Sequence, residues 1–171
     1  MKNIMTKSYF EVIRSGINTT YQDLGRKNLY HIGIPFSGAM DSRNFVLANS
    51  IAGNKENTPA IEFAYQGPLL KFKGEKINFN ITGNVSFKLI KKDKQIIGNC
   101  YQSYSLEDGD QLDILSTNNS VYGYLAISGS YDVKFQWKSC SVNTKANIGA
   151  NDGKKIEKDQ LIKVLNSHSH N

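Results

Sequence analysis

Ile77-Asn78-Phe79-Asn80-Ile81 alternates apolar and polar residues without a break. A strand sends successive side chains to opposite faces, so this run predicts a β-strand with one face buried. The same period of two places Ile61, Phe63 and Tyr65 against Ala60, Glu62 and Ala64. It predicts further strands at 9–14, 69–72, 85–90, 95–97, 111–115, 121–127, 133–137 and 160–164. Turn-forming residues separate them: Gly67-Pro68, Gly83-Asn84, Asp108-Gly109-Asp110, Asn118-Asn119, Gly129-Ser130 and Asn151-Asp152-Gly153. Short strands at this spacing imply a β-barrel or sandwich.

One segment departs from the period. Between positions 41 and 52, Phe45, Leu47, Ala48, Ile51 and Ala52 cover one helical face, predicting a single substantial helix at about 41–53. Asp41 suits the N-cap, where its carboxylate accepts from backbone N–H groups of the first turn. Met40 and Phe45 then stand in the relation of a hydrophobic staple. Gly53-Asn54 supplies a left-handed stop. The expectation is a mostly β chain with one helix.

At 171 residues the chain has length for one sizeable core. The predicted organisation is a single domain over 1–165 with a polar tail at 166–171. The net charge of +6 is concentrated. Between Gly67 and Cys100 stand seven lysines and only Glu75 and Asp93 as acids. The cluster Lys91-Lys92-Asp93-Lys94 reads as a solvated hairpin tip. Nucleic-acid sites mix arginine and aromatic residues with lysine, and the chain has three arginines in all, so no nucleic-acid partner is expected. No apolar run is long enough for a membrane span, and the charged start Met1 to Lys7 lacks the apolar core of a signal peptide. A cytoplasmic protein follows as the expectation. Cys100 and Cys140 have neither zinc-site nor redox-motif spacing and read as free thiols. His168 and His170 belong to the tail, and no metal site is expected.

The residues of greatest chemical interest run from Gly16 to Pro68. They include Gly16-Ile17-Asn18-Thr19-Thr20-Tyr21-Gln22-Asp23-Leu24-Gly25-Arg26 and His31-Ile32-Gly33-Ile34-Pro35-Phe36-Ser37-Gly38-Ala39-Met40-Asp41. An amide, carboxylates, a guanidinium, an imidazole and a hydroxyl occur in a glycine-punctuated loop that ends on a helix N-terminus. Such a set suits binding a carboxylate, carbamate or phosphate and polarising an amide carbonyl. Gln22, Asp23 and Arg26 can orient a planar substrate by paired contacts, although an internal Asp23–Arg26 ion pair would explain the last two equally well. His31 can serve as a general base near neutral pH. Ser37, beside the flexible Gly38, suits donation to an oxyanion, since no base stands next to it to make it a nucleophile. Asp41 is accounted for by capping, Asn49 by a buried amide bond to a neighbouring loop, and Glu62 by an exposed or ion-paired strand carboxylate.

The order of these residues, followed by Ala48-Asn49, Gly53-Asn54, Ala60-Ile61-Glu62 and Gly67-Pro68, resembles the allophanate hydrolase subunit 2 family. That family includes one of the subunits of bacterial 5-oxoprolinase, together with the related carboxyltransferase domain of urea carboxylase. Looser matches continue through Ile81-Thr82-Gly83, Tyr124 to Gly129 and Ser139-Cys140-Ser141. The resemblance implies a cyclophilin-like β-barrel. It also implies a subunit of an ATP-dependent amidohydrolase complex, opening 5-oxoproline or acting on allophanate beside a subunit 1-like partner and a third subunit. Biotin enters only by analogy with the carboxyltransferase relatives. Asp23, Arg26 and His31 become the candidate catalytic residues. Gln22, Ser37, Gly38, Asp41 and Asn49 become the candidate substrate-binding residues. A non-catalytic regulatory protein that antagonises a kinase inhibitor is the alternative. The chain matches the first half of the family's usual length, which suggests a split, shortened or decayed homologue. Tyr122, Tyr124, Tyr131, Phe135 and Trp137 are then candidates for an uncovered aromatic face, with a homo-oligomer or hetero-complex as the consequence.

Overall fold

The computed structural model describes residues 8–166. Its elements run β1 (Tyr9–Arg14), β2 (Thr20–Gln22), α1 (Ser42–Ile51), β3 (Ala60–Ala64), β4 (Leu69–Lys73), β5 (Ile77–Thr82), β6 (Val85–Lys91), β7 (Lys94–Gly98), β8 (Tyr104–Leu106), β9 (Gln111–Thr117), β10 (Tyr122–Ile127), β11 (Gly129–Tyr131) and β12 (Leu161–Asn166). Among the described residues the chain is mostly β with one α-helix, as the periodicity predicts. Three strands escape the sequence reading, β2, β8 and β11, and each is three residues long, too short for a period to show. Segment 133–137 is no strand. It folds back in a tight turn in which Gln136 and Ser139 exchange backbone hydrogen bonds of 2.8 and 3.3 Å.

The strands pair antiparallel into two sheets rather than one continuously hydrogen-bonded barrel. A seven-stranded sheet has the order β11-β12-β1-β4-β9-β6-β7, and a five-stranded sheet has β2-β3-β10-β5-β8. Short β2 ends its sheet, and irregular chain covers it where a barrel would continue with another strand. Val142 N–H donates to the Tyr21 carbonyl (3.1 Å) and Ile156 N–H to the Thr19 carbonyl (2.8 Å). These bonds satisfy an edge that would otherwise be a template for association.

The main core lies between the sheets, where Phe10, Leu70, Phe72, Phe87 and Leu112 meet Ile61, Phe63, Phe79, Ile81 and Leu125. A second layer lies between the five-stranded sheet and α1, built from Phe45, Ala48, Ala60, Tyr124 and Ala126. Both faces of β3 are therefore covered, and all five of its residues are buried. Small residues beneath the helix let it approach. Asn80 Nδ2 then donates to the Ala48 carbonyl (2.9 Å) and Thr82 Oγ1 to the Asn44 carbonyl (2.7 Å), fixing α1 against β5.

Asp41 is the N-cap of α1, with Oδ1 accepting from Asn44 N–H at 3.1 Å and Oδ2 from Asn44 Nδ2 at 2.6 Å. Gly53, at φ +73°, ends the helix. The staple does not form: Met40 is 66% exposed, because its backbone is drawn toward β3. The aromatic residues also divide differently from expectation. Tyr122 and Tyr124 face α1 and Tyr131 enters the inter-sheet core, so only Phe135 and Trp137 of the five are exposed.

The lysine-rich tip is the β6–β7 hairpin, with Lys91 opposite Lys94. Several lysines of this region rest on aspartates, with Lys91 Nζ 2.9 Å from Asp110 and Lys73 Nζ 3.6 Å from Asp108. Both cysteines are free; Cys140 is buried and Cys100 partly so. Asn166 closes β12 opposite Gly129, and the rest of the predicted tail, with His168 and His170, lies outside the described residues. Among the described residues no helix is long and apolar enough to cross a membrane, and no cluster of three potential metal ligands occurs.

Candidate binding site

The loop after β2 and the loop entering α1 run against each other. Arg26 N–H donates to the Phe36 carbonyl (2.8 Å) and Ala39 N–H to the Asp23 carbonyl (2.9 Å). This crossing requires glycine. Gly25 sits at φ +87°, and a Cβ there would lie 2.8 Å from the Phe36 oxygen; one on Gly38, at φ +97°, would lie 3.1 Å from the Gly25 nitrogen. Between them Ser37 adopts φ +58°, an uncommon conformation for a residue with a side chain.

Asp23 and Arg26 are both buried, yet they do not pair with each other. Asp23 grips the chain around Cys140. Its Oδ1 accepts from Ser139 Oγ (2.5 Å), Ser141 Oγ (2.6 Å) and Gly25 N–H (2.9 Å), and its Oδ2 from Cys140 N–H (2.7 Å). Burial works to raise its carboxyl, but these four donors outweigh it and hold the group below the usual carboxylate range. Arg26 holds the same segment through carbonyls: Nε donates to Gln136 (3.2 Å) and Nη2 to Ser141 (2.7 Å). The ion pair considered from the sequence is thus replaced by a shared grip on 136–141.

Beside this knot is a cavity of about 280 Å³ whose walls include Thr20, Gln22, Ser37, Gly38, Glu62 and Tyr122. Gln22 is 4% exposed; its Nε2 donates to Thr20 Oγ1 (2.9 Å) and the Val142 carbonyl (3.0 Å), while Oε1 has no partner. Ser37 Oγ is buried and equally without a partner. Native structures pair nearly all such atoms, so these two make the cavity the candidate site for a polar ligand.

Glu62 corrects the sequence reading. It is 3% exposed and is not ion-paired; its Oε2 accepts from Tyr124 Oη (2.6 Å) and Met40 N–H (2.8 Å). Tyr124 Oη in turn accepts from Asp41 N–H at 2.7 Å. Burial pushes the Glu62 carboxyl up, against the lowering effect of those donors. Burial and the adjacent Glu62 together push the Tyr124 hydroxyl far above its ordinary range. This dyad anchors the loop that carries Ser37.

Of the residues singled out from the sequence, Gln22, Ser37 and Gly38 line this cavity, and Arg26 lines a separate one. Asp23 is wholly engaged inside the knot. Asp41 spends both carboxylate oxygens on Asn44, and Asn49 Nδ2 bonds the Glu56 and Thr58 carbonyls at 3.2 and 2.9 Å. His31 stands apart, exposed on the 3₁₀ turn Tyr30–Ile32. The sequence does not bring forward Thr20, Tyr124 or the 142–145 segment. The one signal available is the alternation that puts Glu62 opposite the large apolar residues of β3. Its cross-strand partner Tyr124 is set by register, which a single strand does not reveal.

Residues 32–171 match the family model described as carboxyltransferase domain, subdomain A and B. The chain is 33% identical over 149 residues to a 5-oxoprolinase subunit of Haemophilus influenzae, covering 87% of this chain and 47% of that protein. It is 35% identical over 153 residues to urea amidolyase of Saccharomyces cerevisiae, covering 89% of this chain and 8% of that one. The crystal structure of Kluyveromyces lactis urea carboxylase superposes with a TM-score of 0.84 at 33% identity, over 91% of this chain and 14% of the other. The chain thus spans about half the length of the bacterial relative and a small part of the yeast proteins. By sequence over most of its length and by fold, it belongs to the carboxyltransferase domain, subdomain A and B, family.

Proposed function

We propose that the chain serves as one subunit of an amide-processing assembly of the 5-oxoprolinase or allophanate hydrolase kind, and that the Gln22–Ser37 cavity receives the amide. The reading is carried by the two orphaned atoms. A lactam or urea-derived amide presents an N–H beside a C=O. Gln22 Oε1 is free to accept from the first, and Ser37 Oγ is free to donate to the second. Donation to the carbonyl strengthens as its oxygen gains negative charge, which is how a fixed hydroxyl favours attack at the carbon. Asp23 and Arg26 act as positioning residues that hold the loop, and Glu62 with Tyr124 fixes the other wall.

ATP does not suit this cavity, whose volume of about 280 Å³ lies below the usual range for sites that hold a molecule of that size. ATP use belongs elsewhere in the assembly, with a subunit 1-like partner and a third subunit. A biotin ureido ring has the same N–H and C=O edge, so Gln22 and Ser37 are the residues that would hold it. When bound, that group supplies a transferable carboxyl.

The test is reconstitution with a subunit 1-like protein and the third subunit, followed by assay of ATP-dependent 5-oxoproline opening and of allophanate hydrolysis. Ser37→Ala removes a hydroxyl that holds nothing in the fold, so stability should be unchanged while kcat/KM falls about a hundredfold. Full activity in that variant would refute the role of Ser37. An assembled complex that turns over neither substrate would favour the regulatory alternative.

A further inference from the structure

A second cavity, of about 600 Å³, shares no wall residue with the first. Its walls include Arg26, Lys27, Leu29, Asn57, Trp137 and Lys138, and they hold three cations and no carboxylate. Arg26 is 2% exposed; the Asp23 carboxylate lies near enough to favour its charge but accepts no hydrogen bond from it, and every acceptor it does meet is a neutral carbonyl, on Gln136, Ser139 and Ser141. Its Nη1 has no partner. A buried guanidinium nitrogen left unpaired is costly, and an anion entering the cavity would satisfy it with a charge-assisted bond.

The opposite wall is presented in an unusual way. Trp137 and Lys138 are the central residues of the Gln136–Ser139 turn, at φ +51° and +62°. Those two positions ordinarily go to Asn and Gly. Here the backbone is held by the Arg26 bonds to the carbonyls of Gln136 and Ser139, at either end of the turn. The turn thus places a half-exposed indole and an exposed lysine on the cavity that the buried guanidinium also lines.

We infer that this cavity binds a small organic anion, its carboxylate or phosphate shared by Arg26, Lys27 and Lys138 and its flat ring lying against Trp137. The cations supply the charge recognition. The indole, with Leu24 and Leu29, supplies an apolar surface for a ring. Nothing in this inference depends on amide chemistry at Gln22 and Ser37.

Trp137 is the sole tryptophan, so its fluorescence in the full 171-residue chain reports the site directly. The probes are benzoate, AMP, inorganic phosphate and the neutral benzamide. Benzoate or AMP should change the emission saturably, with half-saturation near about 1 mM or below. Whichever of the two binds identifies the anionic head as carboxylate or phosphate. Benzamide should fail, and inorganic phosphate should bind at least about tenfold more weakly than the better ring-bearing probe. Lys27 and Lys138 are exposed, so the pair Lys27→Gln with Lys138→Gln keeps the fold and should weaken binding about tenfold. Absence of saturation with every probe, an equal response to benzamide, or unchanged binding in the lysine pair would overturn the proposal. Phosphate binding as tightly as AMP, with no benzoate response, would overturn the part assigned to Trp137. The readout uses this chain alone, so failure of 5-oxoproline or allophanate turnover in the assembly leaves it intact.

Discussion

The five-stranded sheet is buried on both faces, and the two are built from different chemistry. Toward the other sheet it presents Ile61, Phe63, Phe79, Ile81, Leu125 and Ile127. Toward α1 it presents alanines, Tyr124, and the polar side chains of Glu62, Asn80 and Thr82. Apolar contact is non-directional, so the inner face supplies stability and accepts many arrangements of similar volume. A buried hydroxyl or carboxylate must have its partner at one distance and angle. The outer face therefore sets where α1 and the 36–41 loop lie, and its polar layer borders the candidate amide site.

The contrast can be broken most sharply at Phe63, which is fully buried between the sheets. Phe63→Ala should cost about 3–5 kcal/mol in urea unfolding. A loss under about 1 kcal/mol would show that the inner face is not the main source of stability.

Asp23→Asn comes next, at about 3 kcal/mol, because an amide cannot accept the four donors that converge on the carboxylate. The folded carboxyl is held low, so its contribution is present above the unfolded value of about 3.9 and is lost as pH falls through the folded one. Denaturation curves of wild type and variant should converge in acid. A gap that stays constant down to low pH would remove the charge from the account.

Tyr124→Phe tests the outer layer and should cost about 1–2 kcal/mol while leaving α1 in place by circular dichroism. Glu62 gives the opposite pH sign to Asp23. Its folded carboxyl is raised, so its contribution is full below the ordinary glutamate value of about 4.3 and declines as pH rises through the folded one. Glu62→Gln keeps an acceptor for Tyr124 and Met40, and its melting temperature should gain on wild type as pH rises above the ordinary glutamate value of about 4.3. Parallel curves would mean that Glu62 does not change protonation there. Met40→Ala, at an exposed residue, should move stability by less than about 0.5 kcal/mol; a larger effect would restore the hydrophobic staple.

The inner face is legible in the sequence and the outer one is not. Ile77, Phe79 and Ile81 reveal their strand because large apolar residues at every second position have one explanation. Glu62 reads locally as a solvent-facing carboxylate, since nothing within β3 shows that a helix covers that side. Likewise Tyr122 and Tyr124 read as an uncovered pair until α1 is placed over them. Val133, Phe135 and Trp137 have the period of a strand, but the tight turn at Trp137-Lys138 overrides it.

The candidate site divides in the same way. Residue types and their order between Gly16 and Pro68 carry the family resemblance and bring Gln22, Ser37 and Gly38 forward together. They do not separate Gln22 from Asp23, adjacent residues whose side chains meet opposite fates. One leaves an oxygen free on a cavity, and the other is consumed by a segment more than a hundred positions away. Strand period, helix caps and turns are short-range consequences of backbone geometry, so the order of residues is enough to fix them. Which polar atoms remain unpaired depends on contacts between distant segments, such as Asp23 with Ser139–Ser141 and Glu62 with Tyr124. Those are settled when the sheets and the helix come together, because a hydrogen bond is a matter of position in space and a neighbour in the fold need not be one in the chain.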